Sequence, residues 1–140
     1  MSLIATGAVV HAGTLNGNPI ALAAVNATLQ ALANKNGARY EELKTRSDRL
    51  RSGLVTILHG KGHKVVSSGY GAVFQLTFME KPARNYRETM EADKSLYNDF
   101  ALALLDEGIL VLPDGRWYVS FAHSDEDIES TLLAVQKVVA

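Results

Sequence analysis

Residues His11 to Pro19, His-Ala-Gly-Thr-Leu-Asn-Gly-Asn-Pro, gather the groups best suited to chemistry in this chain. Gly13 and Gly17 allow tight backbone turns, Thr14 supplies a hydroxyl, and Asn18 followed by Pro19 marks a helix start. Free backbone N–H groups near a helix start point at an anion, and the helix dipole favours negative charge there, so the segment can hold a phosphate. The same residues also make a plain turn and an N-cap. Glycine-rich turns before helices are common, so the residues alone leave both readings open.

Other candidates are weaker. His59 and His63 stand four apart, but Gly60 and Gly62 break any helix that could align them on a metal, and no metal site is expected. Arg116 can meet a substrate carboxylate beside Trp117, or the two can be a surface arginine and a core indole. His123 precedes a helix start and suits a structural hydrogen bond.

The elements that position these groups follow from periodicity. Leu22, Val25, Leu29 and Leu32 predict a first helix from Pro19, ending at Asn34-Lys35-Asn36 with Gly37 as a left-handed cap. A second helix is predicted over 38–58, with Tyr40, Leu43, Ser47, Leu50, Leu54 and Ile57 as its apolar stripe. The charged residues opposite read as a solvated face. A hairpin follows, with strands over 64–67 and 72–78 and a turn at Gly69-Tyr70-Gly71. The polar stretch 79–91 reads as a loop. A third helix over 94–107 is capped by Asp93 and carries Leu96, Phe100, Ala103 and Leu104. Strands are predicted over 109–112 and 117–121 around the Pro113-Asp114-Gly115 turn. Ser124 with Asp127 resembles a capping box before a final helix that buries Ile128, Leu132, Val135 and Val139. Residues 4–17 show no regular period. The resulting fold class is α+β, a small, mostly antiparallel sheet with helices packed on one face.

Composition bounds the partners. Fourteen basic residues nearly cancel 15 acidic ones, which argues against nucleic acid and anionic lipid. No cysteine is present, so thiolate metal sites and disulfides are impossible. No apolar run approaches the ~20 residues of a membrane helix, and a cytoplasmic location is the default. Met1-Ser2-Leu3 is expected to be an expression leader.

The run around Gly13 resembles the Ala-Gly-Thr-x-x-Gly-Asn-Pro signature of class III pyridoxal-phosphate aminotransferases, closest to their glutamate-1-semialdehyde aminomutase branch. Further along, Gly71-Ala72-Val73-Phe74-Gln75-Leu76 resembles the family's small-domain strand, and Asn85-Tyr86 followed by Asp93 its loop. Leu104-Leu105-Asp106-Glu107-Gly108-Ile109 is similar to its Leu-Leu-Glu-Glu-Gly-Val segment. Ser120-Phe121-Ala122-His123 through Ile128 is similar to its Ser-x-Ala-His-Thr-x-x-Asp-Ile stretch. The resemblance covers nearly the whole chain in the family's order.

That resemblance implies the C-terminal part of a fold-type-I enzyme of homodimeric, cofactor-dependent design. It implies an arm at residues 4–18 that meets the large domain and the second subunit, and a small domain over 19–140. Gly13 and Thr14 are expected to hold the cofactor phosphate, and Arg116 is a candidate for the carboxylate of an amino-acid substrate. The Schiff-base lysine and the aspartate facing the pyridine nitrogen belong to the family's large domain. None of the lysines here stands in the family's lysine motif. The chain alone is therefore expected to carry no catalytic residue and to bind no pyridoxal phosphate. Many relatives carry a carboxylate-binding arginine near the position of Ser120, and its replacement by serine agrees with the aminomutase branch. The segment 112–116 departs from that branch, which is longer there and has an acidic residue, so transamination and aminomutation stay open. Asn16, where serine is frequent, also departs. Two other classes remain: a free-standing α+β binding or regulatory module for a phosphorylated small molecule, and an assembly domain.

Overall fold

A computed structural model describes residues 2–33 and 37–140. The chain divides into two compact units, Met1–Ala38 and Arg39–Ala140.

The first unit holds α1 (Ser2–Ala5) and α2 (Pro19–Ala33). The sequence predicts no regular element at residues 4–17, yet one helical turn forms first, closed by the Thr6 N–H and hydroxyl donating to the Ser2 carbonyl. At α2 the Asn18 side chain accepts from the N–H groups of Ile20 (3.0 Å) and Ala21 (3.1 Å), the expected N-cap. The predicted stop at residues 34–36 lies outside the described residues. Leu22, Val25 and Leu29 do share a stripe, but each is more than half exposed, and no described residue of either helix is buried.

The second unit has a true core. Along α3 (Ala38–Gly60), Leu43, Ser47, Leu50, Leu54 and Leu58 are buried at alternating three- and four-residue steps. Leu58 takes the place predicted for Ile57, because four residues after Leu54 returns closer to the stripe's axis. Tyr40 stays half exposed, its ring edge against Phe121. The charged face is solvated as predicted, and two of its arginines also reach the last helix, Arg46 to Asp125 at 3.1 Å and Arg49 to Glu129.

The sheet runs β1 (Val66–Tyr70), β2 (Val73–Thr77) and β3 (Arg116–Tyr118), antiparallel, with β2 in the centre. β1 starts and ends later than predicted. The chain reverses at Gly71-Ala72, where Gly71 adopts φ 60°, the first position of a two-residue hairpin turn that only glycine takes without strain. Phe74 and Leu76 face inward with Trp117. Phe74 and Trp117 lie parallel at 5.9 Å, and Phe78, Tyr97 and Phe100 form an edge-to-face trio. Tyr70, Val73 and Tyr118 are exposed on the other face, so one face is covered, as predicted. Arg51 donates to the Gly69 carbonyl at 3.2 Å, on the side of β1 away from β2.

The strand predicted over 109–112 does not form. β2 has two edges, and both are taken: β1 fills one, and β3 fills the other, extended by Leu76 N–H to Gly115 O (2.8 Å) and Val119 N–H to Ala72 O (2.9 Å). Ile109–Leu112 joins neither outer edge of the sheet, and Leu110 is 81% exposed. The predicted loop holds one turn of 3-10 helix, Glu88–Glu91. Then α4 (Lys94–Asp106) begins where expected, with the Asp93 carboxylate accepting from Leu96 N–H. It buries Tyr97 with Phe100 and Leu104. α5 (Asp125–Val138) has the predicted capping box and buries Ile128 and Val135, while Leu132 and Val139 are half-buried. Among the described residues, no helix is long and apolar enough to cross a membrane.

The capping box gives an acid-sensitive contribution. The Asp127 carboxylate is held below its ordinary value of 3.8, first by the Ser124 backbone N–H and then by the Ser124 hydroxyl. A carboxylate depressed on folding stabilises fully above 3.8 and loses that contribution as pH falls through its folded value. Asp127→Asn is expected to melt below the parent chain at neutral pH. The two melting temperatures, followed by circular dichroism, should converge as pH falls below 3.8.

Candidate functional site

In the first unit the turn 13–18 closes with Asn16 N–H to Gly13 O (3.0 Å) and Asn18 N–H to Leu15 O (3.2 Å). These bonds leave the N–H groups of Gly13, Thr14 and Leu15 and the Thr14 hydroxyl without a protein acceptor among the described residues. All of them are exposed. The Asn16 side chain folds over Gly13, where an added Cβ would lie 2.8 Å from its Oδ1 and 2.9 Å from its Cγ. A side chain at 13 would push the Asn16 amide off the turn, where it lies beside Thr14. Such an arrangement can grip one side of an anion. Among the described residues of this unit no lysine or arginine is present to balance a phosphate's charge.

In the second unit Arg116 is paired. Its Nε donates to the Asp114 carboxylate at 2.7 Å, and the Arg116 N–H donates to the same side chain at 3.2 Å. The hydrogen bond from Arg116 holds Asp114 below the usual carboxylate range, and Asp114 raises Arg116 in turn. Both side chains are about half exposed, so the pair is solvent-screened. An incoming carboxylate must compete with Asp114 for the guanidinium. The partner residue was legible in hindsight: an aspartate two positions before an arginine closes an Asx turn on the backbone it precedes. Gly13 and Thr14 lie in one unit and Arg116 in the other, and each stands as described within its own unit. Trp117 is a core indole, only 5% exposed.

His123 is held by the backbone. Its Nδ1 accepts from Ser120 N–H at 3.0 Å and lies 3.0 Å from the Ser120 hydroxyl, which itself accepts from Ala122 N–H. A ring nitrogen that accepts from an amide carries no proton, so the neutral ring bears it on Nε2. His59 Nε2 lies 2.8 Å from the Val65 carbonyl, and His63 sits edge-on to Phe78. Among the lysines, Lys35 lies outside the described residues. None of Lys44, Lys61, Lys64, Lys81, Lys94 and Lys137 is buried. Lys44 pairs with Asp48, Lys64 with Glu80 and Lys137 with Glu107.

A family model described as aminotransferase class-III matches residues 1–139. The chain belongs to the class-III aminotransferases. This class-III chain is 38% identical over 140 residues to a glutamate-1-semialdehyde 2,1-aminomutase of Nitrosospira multiformis, covering 99% of this chain and 32% of that protein. Among solved structures it is similar to an omega-transaminase from Sphaerobacter thermophilus (TM-score 0.83, 23% identity, 94% of this chain and 30% of that one). It is also similar to a glutamate-1-semialdehyde aminomutase from Pseudomonas aeruginosa PAO1 in complex with PMP (TM-score 0.79, 24% identity, 93% and 29%). At such identities the likeness to solved structures establishes the fold. The class-III chain thus spans about 30–32% of the length of the curated relatives it matches.

The free donors of the turn predict an exchange pattern. In the isolated chain the amides of Gly13, Thr14 and Leu15 should exchange with solvent at close to unprotected rates. The Leu76 amide, bonded into the sheet, should be strongly protected. Hydrogen exchange followed by NMR checks this.

Proposed function

We propose that this chain is the C-terminal part of a pyridoxal-phosphate-dependent aminotransferase or aminomutase, acting on an amino acid or amino-aldehyde, and that it is inactive alone. The observation that carries the reading is coverage: a family match over nearly the whole chain, against about a third of each relative's length. Residues 4–18 form an arm for the large domain and the second subunit of a cytoplasmic homodimer, and residues 19–140 contribute the small domain. The exposed apolar stripe of α2, in the unit that also contains residues 4–18, supports a docking surface there, because contiguous exposed apolar surface marks an interaction site.

When bound, the cofactor supplies an electron sink for a carbanion at the amino acid's α-carbon. What this chain contributes is binding and placement. The Thr14 hydroxyl and the N–H groups of residues 13–15 donate to phosphate oxygens, with Gly13 bare so that Asn16 can close over the turn. Arg116, exchanging Asp114 for a substrate carboxylate, orients the substrate. A Schiff-base amine must be held neutral by burial or a neighbouring cation. Each described lysine is exposed or paired with a carboxylate, and none stands in the family's lysine motif. On this reading the amine is supplied by the family's large domain.

The test is to incubate the 140-residue chain with pyridoxal phosphate, reduce with borohydride and map the peptides. Only slow, scattered lysine labelling is expected; rapid stoichiometric labelling of one lysine overturns the reading. Saturable calorimetric binding of pyridoxal phosphate by the chain alone would instead favour the free-standing phosphate-binding module. In the full-length protein, Thr14→Ala should weaken cofactor retention by about tenfold or more, the size of one hydrogen bond to a charged group. Dialysis against buffer followed by absorbance measures it.

A further inference from the structure

The second unit contains a cleft of about 700 Å3 between β2, the loop after it, the start of α4 and the turn before β3. Small-molecule sites typically occupy roughly 300–1,000 Å3. Leu76, Phe78, Pro82 and Pro113 give it apolar walls.

Its charges are unequal in what they leave over. Asp93 is committed to the α4 N-cap, and Asp114 is paired with Arg116. Arg84 and Lys94 also line the cleft, and among the described residues neither has a carboxylate partner; the Lys94 ammonium meets only the Met90 sulfur, at 3.5 Å. The uncommitted charge facing the cleft is therefore positive.

Tyr97 lines the same cleft and is only 4% exposed, yet among the described residues its hydroxyl has no hydrogen-bond partner. Burial pushes its phenol up to about 12, against the opposing pull of the Trp117 indole and with a smaller push from Asp114. The phenol thus keeps its proton at every physiological pH. Even where the indole N–H approaches the phenol oxygen, the phenol's own proton still has no acceptor. Buried hydroxyls are almost always satisfied, so an orphan calls for a reason. Phenylalanine would fill the aromatic trio with Phe78 and Phe100 equally well and leave no orphan.

We propose that this cleft binds a small carboxylate with an apolar body, the carboxylate accepting from the Tyr97 hydroxyl between Arg84 and Lys94 and the body lying along Leu76, Phe78 and Pro82. A monoanion suits two cations beside the committed acids, and the apolar walls suit a short hydrocarbon. The site lies wholly within the second unit and does not depend on the cofactor reading above.

The probe is hexanoate, titrated into the full 140-residue chain and followed by amide chemical shifts. Saturable shifts are expected at residues 83–86, 94, 97 and 114–115. Hexanol, which lacks the charge, and inorganic phosphate, which lacks the body, should each bind at least tenfold more weakly. Tyr97→Phe should melt no lower than the parent chain and lose roughly tenfold in hexanoate affinity. Arg84→Gln, at an exposed position, should lose affinity without any change in melting, and it serves as the second test if the Tyr97 variant folds poorly. Shifts that do not saturate, equal binding of hexanol, or unchanged hexanoate affinity in the folded variants each overturn the proposal.

Discussion

The architecture of the second unit depends on β2 being paired along both edges. A strand hydrogen-bonded on two sides can bury one face completely without orphaning its backbone. That lets Phe74 and Leu76 sit at the centre of the core, with Trp117 brought alongside by the register of β3. The helices then close over this face: α3 through Leu50, Leu54 and Leu58, α4 through Phe100 and Leu104, and α5 through Ile128 and Val135.

The first unit shows the opposite condition. Its helix α2 is capped and striped as expected, yet no described residue of that unit is buried. Helix propensity and caps alone hold short helices only marginally in water, and most helical stability in proteins comes from burying an apolar face. A capped helix with an unsatisfied stripe is thus an element whose sequence is written for a larger context. The free donors of the neighbouring turn fit the same description, because polar groups left unpaired on an exposed turn are available to whatever docks there.

How much was legible in the sequence depended on the range of the forces involved. Local signals gave the starts of the longer helices nearly to the residue: Asn18, Asp93 and Ser124 cap where they were expected, and the stripe of α3 differs in exchanging Ile57 for Leu58 and in leaving Tyr40 half exposed. Strand limits were less legible. The end of β1 is set by a turn at Gly71-Ala72, and whether 109–112 joins the sheet is a tertiary matter that its apolar run alone does not decide. The family resemblance was legible from the spaced segments that carry it. Within the candidate site, Gly13 and Thr14 could be singled out, whereas the Asn16 amide over Gly13 shows only in the folded chain, and the Asp114 carboxylate on Arg116 was signalled by an Asx-turn spacing that went unread. Tyr97 was left out of the α4 stripe, although it stands three residues before Phe100 and seven before Leu104. Nothing in the spacing announced that its hydroxyl would be buried and unmatched.

The three-stranded sheet ends in two open borders, and each is guarded differently. β3 is too short to template another strand, and Pro113 lies just upstream of it. β1 is longer, and on its outer border the Arg51 guanidinium occupies the Gly69 carbonyl. A fixed positive charge on that border makes the approach of a foreign strand electrostatically and sterically unfavourable. One arginine of a solvated helix thereby protects the domain against ordered, fibre-like self-association, a hazard that would grow wherever the chain is made at high concentration.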